Sequence, residues 1–302
     1  MRTVSVAAAL AGALLAGHPH DAAAEVARFR FVVAEYGNEK DGGMKQPEGV
    51  ACDATGQVIV ADTGNDRLLR FTFRDRVLTP GEPIRNDQLS APTRVYFGSK
   101  GDIYALDTKR RRVLRLGADG SVKGPLSLEG IPAPSTIVPR SFALDAADGV
   151  YLLDVFGGRV LVLDPEGAFR KAIPLPADAG FFSDVAVDAT GRVLVLDSVK
   201  RRLYVAPRDG TAFTALGGNL GASIVTMPTA LVTGRTDLFV LEGPGSTIVS
   251  LGRDGTVLSR QLGPGRTEGL LDHPTQVCVS EGDNAFVADR GNSRLQVFGL
   301  TR

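Results

Sequence analysis

The chain of 302 residues carries 34 basic and 34 acidic side chains, which excludes an overall field drawing it to nucleic acid or an anionic membrane and leaves that task to a local patch. With 43% hydrophobic and 23% charged residues it can bury a substantial core, as one large domain or two ordinary ones. Its 36 glycines and 17 prolines, with few long runs of helix formers, suit many short strands joined by turns and point to an all-β fold.

Residues 1–24 read as a signal peptide. A single early cation, Arg2, precedes an apolar run from Val4 to Gly17, and Ala22-Ala23-Ala24 offers a small-residue cleavage site before Glu25. That run is shorter than the ~20 residues a spanning helix needs, and no later stretch is apolar enough to span. The rival reading is an uncleaved anchor. The mature chain, residues 25–302, is expected in the periplasm or outside the cell. Cys52 and Cys278 are too few for a disulfide framework and lack the spacing of a zinc, redox or haem motif, so buried free thiols are the plain expectation.

From Val58 onward one pattern recurs: "VIVADTGNDRLLRF", "DIYALDTKRRRVLRL", "GVYLLDVFGGRVLVL", "RVLVLDSVKRRLYVA", "DLFVLEGPGSTIVSL" and "NAFVADRGNSRLQVF". The acid ending each first run stands at Asp62, Asp107, Asp154, Asp197, Glu242 and Asp289, in steps of 45, 47, 43, 45 and 47. Five positions later come Arg67, Arg112, Arg159, Arg202, Thr247 and Arg294. Upstream of each acid lies another short strand, usually entered through a proline or turn such as Pro47, Pro92, Pro139, Pro228 or Pro274. The unit is therefore a four-stranded meander. Six such units around an axis can bury faces that one alone cannot, which predicts a six-bladed β-propeller of antiparallel blades. The last unit stops after "RLQVFGLTR" without a fourth strand, and "RFRFVVAEYG" near the N-terminus has no other place. That strand is predicted to complete the last blade and close the ring, removing an open edge.

These residues carry a resemblance. "QPEGVACDATGQVIVADTGNDRLLRF" resembles an NHL repeat, and "HPTQVCVSEGDNAFVADRGNSRLQVF" is similar nearly throughout. The middle repeats are degenerate, and the absence of tryptophan argues against WD40-type blades. The chain is thus identified as resembling exported, bacterial-type NHL-repeat propellers. That resemblance implies the fold and leaves function open, because the family spans enzymes and binding modules.

The acid and arginine pairs (Asp62 with Arg67, Asp107 with Arg112, Asp154 with Arg159, Asp197 with Arg202, Asp289 with Arg294) face each other across short hairpins. Repetition favours a structural brace, since a catalytic site is needed once. Glu242 lacks its arginine and is expected to be solvated or put to another use. No catalytic residue and no metal ligand is assigned. His18 and His20 lie in the signal peptide, and His273 alone cannot build a three-ligand zinc site. No calcium loop, nucleophile elbow or dinucleotide fingerprint occurs.

The face carrying the second-to-third-strand loops and the strand entries is the candidate site. Around the channel mouth it is expected to gather Glu48, Arg94, Arg140, Asp184 and Gln276, with Lys109, Arg110, Arg111, Lys200 and Arg201 from the loops "TKRR" and "SVKR". The expected function is a non-catalytic, monomeric binding scaffold for a protein or an anionic cell-envelope polymer, without cofactor. Nucleic acid is not expected, because stacking aromatics are scarce and export removes it. The alternative, implied by lactonase-like and lyase relatives, is a hydrolase or lyase with calcium at the channel mouth, held through Asp184 or Glu48. Aligning Pro47 with Pro274 sets Cys52 and Cys278 one position apart on the inner strands of adjoining blades. A clasp there is open, although strand alternation turns such positions to opposite faces.

Overall fold

The hairpins fold as their turn residues dictate. Asp53 Oδ1 accepts the backbone N–H groups of Thr55 and Gln57 at 2.9 and 2.8 Å, and Asp188 does the same for Thr190 and Arg192 at 2.9 and 3.0 Å. Gly56 and Gly191 then take φ of +86° and +82°, a conformation that costs glycine nothing. These turns connect the inner and second strands of the first and fourth repeats. A computed structural model describes residues 26–38, 40, 42–178, 180–221 and 226–301; the predicted signal peptide, residues 1–24, lies outside them.

The repeats form six antiparallel sheets. The inner strands are Gly49–Cys52, Pro92–Phe97, Pro139–Leu144, Phe182–Val187, Pro228–Thr233 and Pro274–Val279, and the second strands end on the six repeated acids. Each inner strand packs beside the next, and the last returns to the first, so the sheets are the blades of a closed six-bladed propeller. The strand Arg28–Glu35 pairs antiparallel with Arg294–Thr301, completing blade six as predicted. Six apolar clusters fill the gaps between neighbouring blades. Among the described residues no helix is long and apolar enough to cross a membrane.

Cys52 and Cys278 are joined in a disulfide, with Cα atoms 5.9 Å apart. This corrects the expectation of free thiols. Strand alternation holds within one sheet, whereas the bond crosses two. Adjacent blades meet through opposite faces, so residues one position out of step on their own strands face each other. Both cysteines accordingly border the same cluster, packed with Val50, Val58, Phe286 and Ala288.

The repeated acids and arginines are almost all buried, and their partners differ from blade to blade. Asp62 and Arg67 pair at 2.6 Å and are both fully buried. Asp154 with Arg159 and Asp289 with Arg294 pair at 3.2 and 2.7 Å. Asp107 lies 3.5 Å from Arg112 and 3.1 Å from Arg110. Each brace reaches beyond its hairpin. Asp62, Asp154 and Asp289 accept the backbone N–H of Lys45, Val138 and Asp272 at 2.7, 3.1 and 2.7 Å, and Arg294 donates to the carbonyls of Arg266, Thr267 and Leu270. The pair thus ties down the connection between one blade's outer strand and the next inner strand.

Blades four and five depart. Asp197 and Arg202 are register partners but form no ion pair among the described residues. Asp197 accepts the N–H groups of Gly180, Phe181, Val199 and Lys200 at 2.7 to 3.1 Å, which saturates its oxygens, and Arg202 Nε is buried without a hydrogen-bond partner. Glu242 is fully buried rather than solvated. Thr247 donates to it at 2.9 Å, and Arg260, from the outer strand Val257–Gln261, pairs with it at 2.8 Å. The missing arginine is supplied by the neighbouring strand, and glutamate's extra methylene reaches it.

Candidate functional site

The mouth of the channel is shaped by a repeated backbone irregularity. In five inner strands the register slips just after entry, skipping Thr93, Arg140, Ser183, Thr229 and Thr275. A bulge of this kind turns two consecutive side chains away from strict alternation. Thr93, Arg140, Thr229 and Thr275 line the mouth, while the residues that follow, Arg94, Ser141, Asp184, Ala230 and Gln276, are buried one layer deeper. Gly49 holds the corresponding deep position in blade one. A Cβ there would stand 3.3 Å from the Cα of Arg94 and 3.0 Å from the Cβ of Ala61, so its bare backbone lets the Arg94 strand come close.

Above this layer opens a cavity of about 720 Å³, lined among others by Glu48, Arg94, Lys109, Arg140, His273 and Arg290. Arg94 forms part of its floor. Its Nη1 donates to the carbonyls of Thr93 and Glu48 at 3.1 and 3.4 Å. Its Nε lies 3.9 Å from Asp184 Oδ1 and has no hydrogen-bond partner, although the side chain is nine-tenths buried. Asp184 is engaged elsewhere: Ser141 Oγ donates to Oδ1 at 2.5 Å, and the N–H groups of Val185 and Leu231 donate at 3.1 and 2.8 Å. Gln276 accepts the Val50 N–H at 3.2 Å. Burial, with the Asp184 charge, pushes the Tyr96 phenol above its ordinary value, so it stays neutral beside them.

At the rim, Glu48 accepts Arg290 Nε at 3.1 Å, and the Arg140 guanidinium lies 5.7 Å from the centre of the Phe181 ring. Loss of hydration, then repulsion from Arg94, lowers Arg140 below the usual guanidinium range, with Asp184 and Glu48 opposing. Cations are therefore crowded at this mouth. The His273 ring is exposed and its Nδ1 lies 2.5 Å from Asp272 Oδ1.

Of the ten predicted site residues, Glu48, Arg94, Lys109 and Arg140 meet in the cavity, and Asp184 and Gln276 lie beneath it. Arg110, Arg111, Lys200 and Arg201 are not among the residues that line it. Arg110 turns to Asp107 and the carbonyls of Gln88 and Asp87, and Lys200 pairs with Asp178 at 3.0 Å. Arg111 and Arg201 end their loops in the left-handed region, at φ +53° and +52°, which sends the chain on into the third strand. Arg290 was missed by the sequence reading. Its signal was a cation directly after the blade-six acid, one position before that of Lys109 in the blade-two loop.

The donor set does not fit calcium. Both oxygens of Asp184 already accept hydrogen bonds, Glu48 is paired with Arg290, and the Arg94 guanidinium stands where a second cation would have to come. Among the described residues no three His, Cys, Asp or Glu side chains gather as a metal site.

Comparison with known proteins agrees with this architecture. An NHL-repeat family model matches residues 44–71 and 271–298, the two repeats that keep the pattern most fully. A search of curated proteins finds no significant match. Among solved structures, a gluconolactonase from Xanthomonas campestris is similar with a TM-score of 0.66 at 15% identity, over 91% of this chain and 90% of that one. Virginiamycin B lyase from Staphylococcus aureus gives 0.57 at 15%, over 83% and 80%. A chain of a nidogen/laminin complex gives 0.58 at 16%, over 72% and 80%. At such identities the likeness is one of fold. With six antiparallel blades closed into a ring, the chain is a six-bladed β-propeller whose first and last blades carry NHL repeats.

Proposed function

We propose that this protein is an exported, non-catalytic binding scaffold that takes an anionic group of a protein or cell-envelope polymer into its channel mouth. The observation that carries the reading is the convergence of Arg94, Lys109, Arg140 and Arg290 on one cavity of a chain with no net charge. Arg94 sets a weakly screened cation in the cavity floor. A disulfide across the ring closure supports an oxidising compartment. The structural relatives include two named as enzymes, a lyase and a gluconolactonase, and one from a protein complex, so they favour an enzymatic rival without excluding a scaffold. Against calcium-dependent hydrolysis stands the donor set described above.

The test is titration calorimetry of the mature chain with hexaglutamate and with dextran sulfate, beside the double variant Lys109→Glu, Arg140→Glu. Binding that weakens at least about tenfold in the variant is expected. Equal binding by both forms, or none by either, overturns the reading. Turnover of an aldonolactone that requires added calcium would establish the rival.

A further inference from the structure

The mouth face has an apolar sector beside its cationic one. Phe156, Phe181, Val199 and Met227 are exposed by 60, 42, 63 and 46%, and all four lie on loops or strand entries of blades three to five on this side of the ring. They border two cavities joined through Arg140. Phe181 lines a groove of about 360 Å³ between blades three and four, with Val155, Gly158, Leu175, Pro176 and Gly180. Phe156 stands on the loop between Val155 and Gly158. Val199 is seated on Gly180, where a Cβ would come within 2.6 Å of its own Cβ. Met227 lines the cationic cavity itself. Arg140 joins the sectors, lining the cavity while its guanidinium lies over the Phe181 ring. Beside the groove Lys200 pairs with Asp178.

Large apolar side chains held in solvent at adjoining positions mark an interaction surface, and aromatic residues, Met and Arg are the types enriched in one. A sulfated or carboxylated polysaccharide gives this sector nothing to bury. Resting on the anion-binding reading above, we infer that the partner is a protein, recognised through an acidic segment that sets a carboxylate in the Arg94 cavity and a large apolar side chain in the Phe181 groove. The cationic pocket fixes the charge of that segment, and the groove, joined to it through Arg140, fixes the apolar residue close to the acid.

The experiment compares hexaglutamate, the same peptide with phenylalanine at its third position, and dextran sulfate on the mature chain and on the variant Phe156→Ser, Val199→Ser. Both substituted side chains are more than half exposed, so the fold should survive, and an unchanged melting temperature would verify this. The phenylalanine peptide should bind about tenfold more tightly than hexaglutamate. The variant should lose that advantage and keep its affinity for hexaglutamate. Equal affinity for the two peptides, an advantage that persists in the variant, or dextran sulfate outbinding the phenylalanine peptide would overturn the inference while leaving anion binding intact. Absence of binding by all three probes would remove the anion reading and this inference with it.

Discussion

Arg67 and Arg202 occupy equivalent positions in blades one and four and do different work. Arg67 is fully buried against Asp62 and donates to the Gly43 carbonyl, so its removal strands a buried carboxylate. Arg67→Met should cost about 3–5 kcal/mol. Arg202 leaves Asp197 to four backbone N–H groups, and Arg202→Met should cost no more than about 1 kcal/mol. Urea denaturation of the two variants measures the contrast, and equal losses would refute it. Glu242 adds a pH dependence. Burial opposes its ionisation, but hydrogen bonds from Thr226 and Thr247 and the Arg260 charge outweigh it, holding the carboxyl below its usual range. A group whose folded pKa is depressed contributes stability above its unfolded pKa, about 4.3, and loses it as pH falls through the folded value. Glu242→Gln should therefore be less stable than the parent at pH 7 and show a smaller loss between pH 5 and 3, read from melting temperatures.

Closure of the ring rests on two elements, the strand Arg28–Glu35 and the disulfide. The strand brings Phe29 against Phe239 and Phe298, with ring centres 5.7 and 6.1 Å apart, and covers the edge of Arg294–Thr301. The disulfide spans 226 residues of chain and restricts the unfolded state. The variant Cys52→Ala, Cys278→Ala should remain folded and lose about 2–4 kcal/mol, whereas deletion of residues 26–35 should expose the edge and cause association. Denaturation and size-exclusion chromatography distinguish these outcomes. The closing strand was legible because a sixth repeat ended one strand short and only one unassigned strand remained. The blades were legible from the spacing of their acids. The cysteine bond was not, because sequence alternation describes one sheet and the bond joins two. Nor was the rescue of Glu242 by Arg260, since the outer strands carry no repeated pattern. Of the site, Glu48, Arg94, Lys109 and Arg140 could be placed at the mouth from strand entries and loops. The inward turn of Lys109 and the outward turn of Arg110 could not, because loop conformation decides which neighbouring cation meets the axis.

For the whole molecule, equal numbers of opposite charges hide a strongly uneven distribution along the channel. The mouth gathers cations, while the opposite end holds a cavity of about 190 Å³ walled by apolar residues of all six inner strands, among them Val50, Phe97, Leu144, Val187, Val232 and Val279. On the proposed reading an anion would enter at the cationic end. Lys109 and Arg290 sit toward solvent and act through water, so their attraction should fade as added salt shortens the screening length from about 10 Å at 0.1 M to about 3 Å at 1 M. Arg94 is buried in the cavity floor, where screening is weak, so its attraction for an anion should persist at high salt. Hexaglutamate affinity should therefore fall steeply with salt and level off above zero at 1 M. In Lys109→Gln the slope should shrink while the high-salt remainder persists. In Arg94→Gln that remainder should vanish while most of the slope persists, and Asp184 keeps its bonds from Ser141, Val185 and Leu231 to preserve the fold. Calorimetric titrations of the three proteins across this salt range decide the matter, and parallel loss in both variants would mean that the buried arginine only supports the channel wall.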